Sequence, residues 1–81
     1  MDTKEKAIEL LLKPPAVQYI RSINKRIQEN PDYVNVNRVD VGNIIHGFLV
    51  GGGILWHVEI FEKEWPEILK EALARLSSGM K

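Results

Sequence analysis

His46 and His57 are the only two imidazoles in a chain without cysteine, so any metal or acid–base chemistry at neutral pH starts from them. They stand on either side of Gly51-Gly52-Gly53. If the flanking apolar stretches pair as a hairpin across those glycines, a two-residue turn sets His46 opposite His57. A three-residue turn sends the two rings to opposite faces of the sheet. In the first register the pair could share a metal ion, with Glu59 or Asp40 as a third ligand. Spacing fixes neither carboxylate in that role. No serine, cysteine or second carboxylate is placed to complete a catalytic group, so an enzyme is the class with least support. The competing account is structural: each histidine lies in or beside the sheet core with one ring nitrogen hydrogen-bonded. No cofactor is implied.

Two other groups of residues have the composition of binding sites. The run from Gly47 to Gly53 has the glycine content of a phosphate loop but lacks a Gly-Lys-Ser/Thr sequence. The next segment, from Ile54, reads as a strand, so no helix N-terminus would face a phosphate. A flexible turn is the simpler reading. Arg21, Lys25 and Arg26, with Asn24 and Gln28 nearby and Lys13 toward the helix start, are side chains suited to phosphate contact and groove readout. They define one alternative function, a small nucleic-acid-binding regulator. Against it, eleven basic and eleven acidic residues cancel to a net charge of zero, and three cations are also the ordinary dress of a solvated helix face.

The last candidate is apolar surface. In the stretch Ile54–Phe61, Ile54, Trp56, Val58 and Ile60 fall on one face of a strand, and Leu55, His57, Glu59 and Phe61 on the other. Both faces are largely hydrophobic and expect cover. If the helices pack on one face only, Leu55, Phe61, Ile45 and Leu49 are left for a partner chain. Trp65 is a further anchor candidate, since tryptophan is enriched at interfaces. If the helices divide between the faces, all of this is ordinary core. The function expected from the sequence is therefore a non-enzymatic protein-interaction module that associates with itself or with another protein, through an apolar sheet face or the helices adjacent to it.

The elements that would position these residues are read from period and punctuation. Asp2 to Lys13 has helical spacing of Ala7, Ile8, Leu11 and Leu12, with Asp2 and Glu5 at capping-box distance and Pro14-Pro15 as a stop. A second helix starts with Pro15 in its first turn, carries the stripe Val17, Ile20, Ile23 and Ile27, and closes at Asn30-Pro31. Tyr33 to Val41 alternates apolar and polar residues as a strand does, with a change of phase near Arg38 that suits a bulge. Ile44–Val50 and Ile54–Phe61 read as two further strands joined across Gly51–Gly53. A last helix spans about Glu64 to Ser77, with Pro66 in its first turn, Glu71 and Arg75 one turn apart, and Ser78-Gly79 as a stop. The expected fold is α+β: two N-terminal helices, a three-stranded antiparallel meander and a C-terminal helix.

With 81 residues there is material for one domain and a modest core, which small proteins commonly supplement with disulfides, metals or a partner chain. The absence of cysteine removes the first option and suits a reducing compartment, so a cytoplasmic location is expected. Val41 to Phe61 is about long enough to cross a bilayer. It nevertheless holds Asn43, His46, His57, Glu59 and five glycines, and no dense basic cluster flanks it. A membrane span is therefore not expected.

Overall fold

The computed structural model describes residues 3–79 and contains five helices. These are α1 (Thr3–Leu11), α2 (Ala16–Glu29), α3 (Tyr33–Val36), α4 (Arg38–Gly51) and α5 (Val58–Gly79). There is no strand among the described residues, so the expected three-stranded meander is replaced by helices and the fold is all-α rather than α+β.

The two N-terminal helices end where the prolines require. The residue before a proline is disfavoured in helical geometry, and α1 gives way to tighter turns in which Leu12 and Lys13 N–H donate to the carbonyls of Glu9 and Leu10. Asp2, expected to cap α1, lies outside the described residues. Helix α2 follows the cis Pro14–Pro15 bond and closes at Asn30, whose side-chain oxygen accepts the Asp32 N–H at 3.1 Å across Pro31.

The segment read as a first strand forms α3 and the beginning of α4, two nearly continuous helical pieces jointed at Asn37. There the Asn37 side-chain amide donates to the Tyr33 carbonyl at 2.9 Å. The alternation Val34/Val36, Val39/Val41 is also compatible with a helix in which Val34, Val41, Ile45 and Leu49 share one flank at spacings of seven and four. Val41, Ile45 and Leu49 are buried, whereas Val36 and Val39 are exposed. Valine's preference for strands is weak enough that tertiary burial overrides it.

The three glycines are not a hairpin turn. They end α4 in a Schellman motif: Ile54 N–H donates to the Leu49 carbonyl at 2.9 Å and Gly53 N–H to the Val50 carbonyl at 3.0 Å. Gly53 sits at φ +88°, which a residue with a side chain adopts only with strain. Glycine there is a helix stop, and the chain turns back through 54–57 into α5. His57 opens α5, its carbonyl accepting the Phe61 N–H. Helix α5 therefore begins well before Glu64 and carries Pro66 in its interior instead of its first turn.

The core lies where α1 and α5 pack together, closed by α2 on one side and α4 on another. Ala7 and Leu11 of α1, Ile20 and Ile23 of α2, Val41 and Ile45 of α4, and Trp65, Ile68 and Ala72 of α5 form its centre. Helix α3 contributes no buried residue. At the rim, Arg75 of α5 grips Glu5 of α1 through two hydrogen bonds, 2.6 and 2.8 Å, and holds Glu71 at 3.0 Å. The guanidinium holds the Glu5 carboxyl below the usual carboxylate range. Both partners are well exposed, so the pair orients the α1–α5 contact more than it stabilises it.

Candidate functional site

The two histidines have separate jobs. His46 lies on the flank of α4, its ring edge-on to Phe61 with centroids 4.9 Å apart. His57 caps α5, its Nδ1 accepting the Glu59 N–H at 3.3 Å. The hairpin register that would have paired them does not exist. Among the described residues, no three His, Asp or Glu side chains lie together so as to hold a metal ion.

The basic residues of α2 are all on the surface but not on one face. Arg21 and Lys25 are one turn apart, about 40° around the helix at ~100° per residue. Arg26 stands about 140° from Arg21 on the same measure. Its guanidinium lies over the Tyr33 ring, 5.5 Å from the centroid. Lys25 and Arg26 also border a shallow depression that includes Glu29, which offsets their charge. The sequence grouping thus separates into a surface pair and an aromatic-stacked arginine.

Of the five apolar interface candidates, Ile45, Leu49, Phe61 and Trp65 are core residues, none more than 3% exposed. They are inside because both apolar segments are helical, and the buried sides of α4 (Ile45, Leu49) and of α5 (Phe61, Trp65) meet in the core. Leu55, in the connection between α4 and α5, is 77% exposed.

The surface that stands out is the side of α4 turned away from the core. Val39, Ile44 and Val50 are exposed there, together with Asp40, Asn43 and Gly47. The chain covers only one side of this helix, and large apolar side chains remain on the other. From Val41 to Val58 there is no aspartate, glutamate, lysine or arginine, although such residues make up 27% of the sequence. A charge-free exposed stretch of this length is not what solvation alone selects.

Beside this face lies a groove of about 340 Å³. It is lined by Gly47 and Gly51, one turn apart on α4, together with Pro14, Pro15, Leu10 and Phe48. A β-carbon built at Gly47 or Gly51 would meet no atom within 4 Å. Gly42, on the opposite flank of the same helix, is in close contact with the Trp65 ring. Sequence reasoning weighed the glycines against a phosphate loop and missed the groove. The available signal was Gly47 and Gly51 at i,i+4 spacing, the arrangement that lets another backbone approach a helix closely.

The far side of the groove region carries the one strongly displaced phenol. Tyr19 of α2 packs its ring against Phe48, centroids 5.8 Å apart. Burial, with smaller contributions from Tyr33 and Asp40, pushes its pKa up to about 12. An unfolded tyrosine titrates near ~10, so the folded chain retains this proton where the unfolded chain has lost it. The stabilisation is complete below pH ~10 and is lost as pH rises toward the folded value. Alkaline unfolding monitored against pH should therefore shift upward in Tyr19→Phe, which has no phenol to ionise. An unchanged alkaline transition, with phenolate absorbance showing Tyr19 ionised at its ordinary pH in the folded chain, would contradict this.

Comparison of the chain with protein-family models, with curated proteins and with solved structures found no match. Among the described residues no helix is long and apolar enough to cross a membrane; the apolar window Val41–Phe61 is divided between α4 and the start of α5.

Proposed function

We propose that this chain is a small helical protein-interaction module that associates with itself through the outer side of α4 and the connection between α4 and α5. The observation that supports this is the set of exposed apolar side chains Val39, Ile44, Val50 and Leu55, the last three within the charge-free stretch Val41–Val58. The surface replaces the apolar sheet face expected from the sequence; the physical need for cover is the same, moved from a sheet to a helix. With a neutral chain, two copies meet without net repulsion. The absence of cysteine favours a reducing compartment, and the module is read as cytoplasmic on that ground.

Sedimentation or light scattering of the full chain across micromolar to millimolar concentration tests the reading. A weight-average mass that rises above the monomer value with concentration is expected. A constant monomer mass throughout would overturn it.

A further inference from the structure

We infer that residues 30–37, the turn at Pro31 together with α3, form a strap that unwinds and lifts away as one unit while the rest of the fold stays closed, uncovering the Tyr19 flank of α2.

Burial is what ties a segment into a cooperative fold, and this one has little of it. From Asn24 to Asp40 no residue is buried, the longest such run among the described residues; Ile23 and Val41, both in the core, frame it. Val36 is 69% exposed, and within the strap Tyr33 and Val34 rest only partly against the core. Hydrogen bonding is equally local. Asp32 N–H donates to the Asn30 side chain and Tyr33 N–H to the Asn30 carbonyl at 2.9 Å. Val36 and Asn37 N–H donate to the Asp32 and Tyr33 carbonyls, each at 3.0 Å. None of these bonds reaches a distant element. A segment held by few buried apolar contacts and by exposed backbone bonds opens at a lower free energy than the whole fold. A four-residue helix is also far too short to persist without packing, so lifting and unwinding are one event.

Three contacts show what the strap covers. Helix α3 packs against both α2 and α4, which barely touch each other. Tyr19 and Arg26, seven residues apart on α2, share one flank of that helix. The Arg26 guanidinium lies over the Tyr33 ring, 5.5 Å from its centroid, and so sets Tyr33 on the same flank. Charge effects agree with that placement: besides the larger effect of burial, Tyr33 of α3 and Asp40 of α4 disfavour ionisation of the Tyr19 phenol, and Arg26 favours it. On its other side Tyr19 meets Phe48 of α4. With the strap open, the phenol and the aromatic junction between α2 and α4 face solvent, a surface that the closed chain withholds.

Native-state hydrogen exchange of the full chain at neutral pH, resolved residue by residue by NMR, tests the strap. The amides of Val36 and Asn37 should be about a hundredfold or more less protected than those of Ile68, Leu69 and Ala72 in the buried part of α5, as local opening requires. Arg26→Gln removes the guanidinium and leaves both tyrosine rings. It should lower strap protection a further roughly two- to fivefold, the size of an exposed cation–π contact, and leave α5 unchanged. Tyr33→Ala should lower it by about tenfold or more.

The cover of Tyr19 has its own readout. The chain has two tyrosines, so Tyr19 is the only phenol in Tyr33→Ala and in Tyr33→Phe. Phenolate absorbance should appear at lower pH in Tyr33→Ala, toward the ordinary ~10 of an exposed tyrosine, than in Tyr33→Phe, which keeps the covering ring. Circular dichroism over the same range confirms that both variants are folded. Equal protection of the strap and α5, or a loss of protection in Arg26→Gln that spreads evenly to α5, would mean that the segment opens only with the whole fold and would overturn the strap. Identical titration of Tyr19 in the two position-33 variants would overturn its role as the cover of Tyr19.

Discussion

Trp65→Ala is expected to destabilise the protein by about 3–5 kcal/mol, the usual cost of truncating a large buried aromatic side chain. At 1% exposure Trp65 is the largest fully buried side chain, and it holds α5 against α4. Its ring lies nearly parallel to Phe61 with centroids 6.5 Å apart. The Arg38 guanidinium covers it at 5.1 Å, and Gly42 lies against its indole edge. Alanine would leave a cavity among these groups and an arginine without its aromatic support. A domain of this length has a total stability of only ~4–12 kcal/mol at the usual 0.05–0.15 per residue. The variant should therefore unfold at much lower urea concentration, as followed by far-ultraviolet circular dichroism, with a measurable unfolded fraction without denaturant. A loss below about 1 kcal/mol would show that the α4–α5 contact does not depend on the indole.

The second large effect is expected at the position facing that ring. A β-carbon at Gly42 would lie 3.2 Å from the indole, closer than side-chain carbons normally come. Gly42→Leu should thus destabilise by about 1–3 kcal/mol through overpacking. The indole has little freedom to withdraw, being enclosed by Phe61 and Arg38. Gly42→Ala combines a tight contact with the helical gain of about 1 kcal/mol, and should be close to neutral. Urea titrations of both variants measure this. If Gly42→Leu is as stable as wild type, the two helices are packed more loosely than the ring contact indicates.

These two positions also mark the limit of what was legible in the sequence. The stripes of α1 and α2 could be read because both helices have one apolar and one polar side, and prolines mark their ends. Glu71 and Arg75, read as a helical pair, form an ion pair. From Tyr33 to Val41 the contrast has the period of a strand, and from Ile44 to Phe61 it vanishes. From Ile44 to Val50 helix α4 carries apolar residues on both its buried and its exposed side, and a run without contrast has no period to detect. β-branched residues then tilted the reading toward strands, and three glycines toward a hairpin. Gly51–Gly53 carried the right information, a chain reversal, but a Schellman helix end and a hairpin turn both call on glycine's access to positive φ.

The candidate site followed the same division. Excess apolar surface near Leu55 was legible from composition alone. Which of the candidates would be spent on the core was not: Ile45, Leu49, Phe61 and Trp65 lie on the buried sides of α4 and α5, whereas Leu55 lies in the connection between them, and that division exists only once the two helices are known. The groove depends on Gly47 and Gly51 meeting Pro14 and Pro15, more than thirty residues away along the chain.

By itself, then, the amino-acid sequence determined the helical ends of the molecule, its neutrality, its lack of thiol chemistry, and a surplus of apolar side chains in its middle. The tertiary structure decided that the middle is helical, separated the two histidines, divided the basic residues of α2, and turned one apolar side of α4 outward. The physical reason is one of range. Periodicity and proline stops act over a few residues and can be read locally, whereas the fate of an evenly apolar segment depends on which distant side chains arrive to cover it.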